Sequence, residues 1–329
     1  ILDEFRIVPD WDLDVMKHGQ KLTELCSKIQ SNVDAIIKLY NPDAAIVHGD
    51  TSTTLNAALA SFYNKIPVIH VEAGLRSKNK YSPFPEEINR VLTDKISDIC
   101  FAPTDINKKN LLNEGIDEKI IYVVGNTISD AVSSTIKEEY IFRDDVLNSL
   151  DNKKKLILFT CHRRENLGEP MDRIFEALKQ ISEREDVEIV FPVHRNPEIR
   201  EKSKKYFEQC KNVKMTNFLS YSDMINLLKK SYLIVTDSGG IQEEAAILNK
   251  PVLVVREETE RVEAENIGAL KIIGRETENI VKEIRIRLET PDEIDTEKYE
   301  IRDIYGHNVC EKIAAVIKNK FAPDIRNNS

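Results

Sequence analysis

Short β-branched runs alternate with longer amphipathic stretches along nearly all of this chain, and that alternation restricts the fold more than any other feature. Runs at residues 44–48, 67–71, 99–102, 120–124, 155–160, 188–193, 233–236 and 251–255 read as strands. Helical spacing fills intervals such as 19–39, 51–63, 104–113, 174–183, 223–230 and 240–248. Near-continuous apolar strands separated by helices imply parallel sheets covered by helices on both faces. A soft boundary falls at Gly125-Asn126-Thr127, after which a helix leads to the polar stretch 148–155 and a second sheet begins at Lys155. The expected fold class is α/β, with two doubly wound, Rossmann-like domains facing a central cleft.

Size and charge narrow the function classes. With 329 residues and 41% hydrophobic content, the chain can bury two sizeable cores. Its net charge of -9 argues against a nucleic-acid partner. Cys26, Cys100, Cys161, Cys210 and Cys310 show no paired spacing, which reads as reduced thiols and not as a disulfide frame or zinc site. No run approaches the ~18 apolar residues of a membrane span, and no charged-then-apolar leader is present, so the expectation is a cytoplasmic protein without a membrane partner.

Candidate chemistry clusters where strands end. The apolar run 66–71 breaks into Glu72-Ala73-Gly74-Leu75-Arg76-Ser77, and in open α/β sheets ligands bind beyond the carboxyl ends of strands. Ser82-Pro83-Phe84-Pro85 then forms a stiff approach to a helix that begins Glu86-Glu87. Both acids could simply complement the helix dipole. Set beside the other strand-end clusters, Glu86 is assigned to chemistry, and Glu87 keeps the dipole role.

In the second half, 233–236 runs into Asp237-Ser238-Gly239-Gly240-Ile241-Gln242-Glu243-Glu244. Backbone N–H groups at such a helix start favour an anion, and glycines let a phosphate approach the main chain. Glu244 would repel phosphate but could accept from a ribose diol. The alternative is a plain N-cap by Asp237 or Ser238, with Gly239-Gly240 tightening the turn. Two further strand ends carry His162-Arg163-Arg164-Glu165-Asn166 and His194-Arg195-Asn196-Pro197, clusters suited to a dianionic leaving group. No spacing matches a metal-ligand pattern, so no metal is expected. His48 and His70 read as structural.

Taken in order, HGDTSTT (48–54), HVEAGLRS (70–77), FPEEINR (84–90), GNT (125–127), CHRREN (161–166), VHRNP (193–197), DSGGIQEE (237–244) and TER (259–261) resemble the non-hydrolysing UDP-N-acetylglucosamine 2-epimerases, from about Val8 to the last helix. The resemblance implies a glycosyltransferase-B-like fold: an N-terminal domain over 1–124, a UDP-binding domain over 125–307, and a helix over 308–329 crossing back to the first. It implies interconversion of UDP-GlcNAc and UDP-ManNAc by elimination of UDP to 2-acetamidoglucal and re-addition, with no cofactor. Carried over by motif, Asp50, Glu72, Glu86 and His162 are the catalytic candidates. Arg90, Ser238, Gly239, Gly240, Glu244 and Arg261 join the substrate-binding set, with uracil near Leu219 and Met224, where relatives often have an aromatic residue in place of Met224. A homodimer is a family expectation.

The chemistry agrees with that assignment. The C2 hydrogen is not beside a carbonyl, so its removal needs early C1–O cleavage and a stabilised leaving group. Inverting C2 requires groups reaching two faces, which several carboxylates provide. Which of Asp50, Glu72 and Glu86 is the base stays open. Members usually begin with a strand and a Gly-Thr-Arg-Pro-Glu turn whose arginine contacts the diphosphate. This chain starts at Ile1 without them, so we expect the first βαβ part of domain one to be missing, with a sheet edge left unpaired and with consequences for activity. The alternatives are a UDP-sugar glycosyltransferase, which needs an acceptor, and a noncatalytic nucleotide-sugar-binding fragment.

Overall fold

The computed structural model describes residues 2, 4–17, 19–257, 270–290 and 305–321. They fall into two compact units, one of Val8–Asp130 with Ile304–Ser329, the other of Ile1–Ile7 with Ala131–Asp303. Each is built on its own parallel sheet. Among the described residues no helix is long and apolar enough to cross a membrane.

In the first unit β1 (Ala45–His48), β2 (Val68–Val71), β3 (Ile99–Ala102) and β4 (Ile121–Val123) pair in the order β1-β2-β3-β4, all parallel. Helix α1 (Leu22–Tyr40) precedes β1, and α2 (Ser52–Tyr63), α3 (Glu86–Ile96) and α4 (Asp105–Asn113) supply the connections. Capping side chains fix two of the starts. Thr51 accepts from the Thr54 N–H, and Thr104 with Asn107 forms a reciprocal capping box. Every residue of β2 and β3 is buried, which is why these runs are apolar on both faces. The last helix, Val309–Phe321, brings Val309 and Ile313 onto Ile69, Val71, Ile99 and Phe101. Each such apolar side chain stabilises the unit by roughly 1.5–3 kcal/mol. Gly125 makes that approach possible, because a Cβ there would lie 2.3 Å from the Tyr305 carbonyl oxygen.

Helix α3 inverts the usual arrangement. It buries Glu87, Asn89, Arg90, Thr93 and Asp94, while Ile88 and Leu92 remain 40% and 46% exposed. A buried polar face of this kind survives only if its groups are hydrogen-bonded.

Between the sheets in sequence lie α5 (Ile128–Thr135) and the short α6 (Asp145–Asn148). The second unit holds a six-stranded parallel sheet of β5 (Lys155–Thr160), β6 (Val187–Pro192), β7 (Val213–Thr216), β8 (Leu233–Thr236), β9 (Val252–Val254) and β10 (Leu270–Ile272). Its order is β10-β9-β8-β5-β6-β7, flanked by α7 (Glu169–Ser182), α8 (Pro197–Phe207), α9 (Tyr221–Lys230), α10 (Gly239–Ile247) and α11 (Thr277–Glu289). The core is aromatic at its centre, where Phe159, Phe175, Phe191 and Phe207 pack together with ring centroids 4.6–5.9 Å apart. After β5 the chain adds strands on one side, then crosses back to β8 and adds them on the other. The topological switch point therefore lies between β5 and β8, where open α/β sheets bind ligands.

All eight strands expected from the sequence form, with ends moved by a residue or two. Two more, β7 and β10, escape the pattern. They are the two edges of the second sheet, three or four residues long and interrupted by Lys214 and Lys271, as half-solvated edge strands tend to be.

Candidate active site

The predicted residues divide between the units, and within each unit they cluster. In the first, Asp50 ends the Gly49-Asp50 turn after β1 and Glu72 follows β2 directly. Glu72 has φ 72°, a left-handed conformation that a non-glycine residue holds only when its surroundings enforce it. A Cβ on Gly49, itself at φ 69°, would lie 3.0 Å from Glu72 Oε2, so the Glu72 carboxylate is seated over the turn that presents Asp50.

That turn is held carbonyl by carbonyl. Thr54 Oγ1 donates to the His48 oxygen at 2.6 Å, a ring nitrogen of His70 meets the Gly49 oxygen at 2.8 Å, and Asn89 Nδ2 donates to the Asp50 oxygen at 2.9 Å. The Gly49 N–H donates to the Val71 oxygen at 3.0 Å. Arg90, 3% exposed, pairs through Nη2 with the Asp50 carboxylate and through Nη1 with Glu87 at 3.1 Å. Its Nε has no hydrogen-bond partner among the described residues. Expected in the substrate-binding set, Arg90 is thus engaged with two carboxylates of its own chain.

Glu86 and Glu87 part company here. Glu86 is half-buried at the start of α3 and bonds no other described residue through its side chain. Glu87 does more than complement the dipole. Buried at 3% exposure, it accepts from the Ser77 and Lys78 N–H groups at 2.9–3.0 Å as well as from Arg90, and so anchors the end of the 72–78 segment. Behind these groups Arg76 bridges Asp94 and Glu114 with three contacts of 2.7 Å. Those pairings raise the guanidinium above its ordinary value against the opposing effect of burial.

In the second unit the switch point carries the other cluster. Asp237, fully buried, accepts through Oδ2 from the His162 N–H at 2.9 Å, the Arg163 N–H at 2.8 Å and Asn166 Nδ2 at 2.9 Å. This overturns the capping alternative for that residue. Helix α10 has no side-chain cap bond, and Asp237 instead binds the segment after β5 to the end of β8. Its Oδ1 lies 3.4 Å from His162 Nδ1, and the His162 and His194 rings stack with centroids 5.4 Å apart. Burial depresses the His162 pKa first, with His194 and Arg163 adding to the effect and Asp237 opposing it. A mostly neutral imidazole can donate from one nitrogen and accept at the other.

At the start of α10, Gly239, Gly240 and Ile241 offer N–H groups without intrahelical acceptors. A Cβ on Gly240 would meet nothing within 4 Å, so the protein's own packing leaves open space beside the turn. The Ser238 N–H is taken by Thr236 Oγ1 at 2.9 Å. Glu244 is 8% exposed and its carboxyl is pushed up to about 8, by burial first and then by Glu243, against a hydrogen bond from Tyr221. Leu219 is buried and Met224 half-buried at either side of the α9 start. Arg261 lies outside the described residues. Within the second unit the free N–H groups at the start of α10 can receive an anion, and within the first unit Asp50 and Glu72, at neighbouring strand ends, can transfer protons.

Comparison with known proteins gives this arrangement its relatives. The pattern describing the family UDP-N-acetylglucosamine 2-epimerase matches residues 1–318. The UDP-N-acetylglucosamine 2-epimerase of Bacillus subtilis (strain 168) is 48% identical over 294 residues, covering 89% of this chain and 77% of the relative. The S. aureus protein MnaA, solved with UDP, superposes with a TM-score of 0.89 at 41% identity, covering 97% of this chain and 85% of that one. The UDP-GlcNAc 2-epimerase of Neisseria meningitidis, solved bound to UDP-GlcNAc, gives a TM-score of 0.89 at 38% identity, covering 97% and 87%. On these matches, this chain belongs to the UDP-N-acetylglucosamine 2-epimerase family.

Proposed function

We propose that this chain is a UDP-N-acetylglucosamine 2-epimerase that interconverts UDP-GlcNAc and UDP-ManNAc. The observation that carries the reading is Glu72, held left-handed at the end of β2 with its carboxylate over the turn of Asp50. Support for the ligand comes from relatives solved with UDP-GlcNAc and with UDP.

In this reading a carboxylate among Asp50, Glu72 and Glu86 takes the C2 hydrogen as a proton. The C1–O bond breaks with its electron pair passing to the UDP oxygen, leaving a C1–C2 double bond in 2-acetamidoglucal. Return of the UDP oxygen to C1 and of a proton to the other face of C2 gives the epimer. His162 and the N–H groups of Gly239 and Gly240 stabilise the departing diphosphate, Ser238 assists in holding the substrate, Arg90 acts through the Asp50 carboxylate it pairs with, and Glu244 accepts from the ribose hydroxyls. Leu219 and Met224 flank uracil, and Arg261 contacts the nucleotide.

A homodimer and a cytoplasmic setting belong to the same proposal. The outward apolar pair Ile88 and Leu92 on α3 supports a dimer, which sedimentation analysis tests. Incubating the protein with UDP-GlcNAc and no acceptor, then separating products by anion exchange, tests the activity. UDP-ManNAc is the expected product. Free sugar with UDP would point to hydrolysis, turnover only after adding an acceptor would point to transfer, and UDP binding without turnover would leave a noncatalytic binder.

A further inference from the structure

His70, read from the sequence as structural, lies on β2 with no exposed surface and with both ring nitrogens engaged. Nε2 is 2.8 Å from the Gly49 carbonyl oxygen, which can only accept, so Nε2 carries a hydrogen. Nδ1 is 2.6 Å from Oδ1 of Asp94, a residue that is also fully buried. The other Asp94 oxygen receives Arg76 Nη2 at 2.7 Å and the Gly74 N–H at 3.2 Å. Asp94 is thus held through both carboxylate oxygens, by His70 Nδ1 on one and by Arg76 and Gly74 on the other.

The ring therefore links Asp94 on α3 to the middle one of three successive carbonyls, His48, Gly49 and Asp50, each of which takes a side-chain donor. Downstream of that carbonyl sits Asp50, and above Gly49 sits the Glu72 carboxylate, two residues along the chain from His70 itself. We propose that His70 is a positioning residue for the epimerisation: with both ring nitrogens engaged, it transmits the fixed position of Asp94 to the Gly49 carbonyl and so sets both the turn that holds Asp50 and the seat of Glu72. The inference rests on the functional reading above. A displacement near 1 Å at reacting groups lowers turnover by about 100-fold, which is the size of effect this tie should control.

Two variants and one spectrum test it. His70→Phe keeps the volume and removes both ring nitrogens, whereas His70→Gln can still present an amide hydrogen to the Gly49 carbonyl. Folded H70F should lose about 100-fold in kcat with KM and UDP Kd within about twofold of wild type, and H70Q should recover to within about tenfold of wild type. In wild-type protein labelled with ¹⁵N-histidine, the ring signal absent from H70Q should show a hydrogen on Nε2 that exchanges slowly with solvent, as its bond to the Gly49 carbonyl requires. A folded H70F with wild-type kcat, or a His70 ring whose Nε2 carries no hydrogen, overturns the proposal. The spectrum decides it even if H70F does not fold or the wild type shows no turnover, so a failed functional reading is distinguishable from a failed positioning role.

Discussion

Glu244 should make the second unit lose stability as pH rises, and Glu244→Gln should remove that loss. In the folded chain the carboxyl is pushed from 4.5 to about 8 because burial and Glu243 oppose its ionisation. An unfolded chain has neither effect. The folded state therefore holds a proton that the unfolded state has already released, and stability falls as pH climbs between those values. The contribution is whole below about pH 4.5 and gone above about pH 8. At ~1.4 kcal/mol per pH unit, that interval corresponds to roughly 5 kcal/mol. Gln is close in shape to the neutral acid and can still accept from Tyr221, so E244Q should match wild type near pH 4.5 and exceed it at pH 9. For a unit of this size, about 2–4 °C per kcal/mol places the gain on the order of 10 °C in the melting transition of the second unit. Calorimetric scans of both proteins from pH 5 to pH 9, without nucleotide, provide the comparison. Parallel pH curves for the two proteins would mean that folding does not raise the Glu244 carboxyl.

Other perturbations separate chemistry from architecture. Glu72→Gln should lower kcat by at least about 100-fold while UDP affinity measured by calorimetry stays within about twofold, because the acid handles the proton and not the nucleotide. Gly125→Ala should destabilise the first unit by more than about 2 kcal/mol in urea titrations, since the new Cβ meets the Tyr305 carbonyl in a left-handed backbone. Asp237→Asn replaces a buried acceptor of three hydrogen bonds, and both UDP affinity and kcat should fall together as the 162–166 segment loosens; unchanged UDP binding would count against that role.

Strand periodicity made the two sheets legible because their central strands are apolar on both faces, a pattern that polar insertions do not blur. The edges of the second sheet were not legible, since Val213–Thr216 and Leu270–Ile272 carry lysines and are too short to alternate visibly. Glu72, Ser238 and His162 could be picked out because each lies within two residues of a strand end. Their supports could not. Glu87, Arg90 and Asp94 fall at i, i+3 and i+7 of α3, spacing that ordinarily marks a solvated face, and only the tertiary fold turns that face inward. His70 meets Asp94 across 24 residues, and Asp237 meets the 162–166 segment across more than 70, so neither contact leaves a local trace.

The most direct test of the account follows the hydrogen at C2. With UDP-GlcNAc as sole substrate in deuterated water, proton NMR should show UDP-ManNAc appearing with deuterium at C2, and the recovered UDP-GlcNAc should lose its own C2 proton signal as the reaction approaches equilibrium. Epimer that retains the original C2 proton would contradict removal of that hydrogen by the acids around the Gly49 turn, and unaltered UDP-GlcNAc would contradict the activity itself.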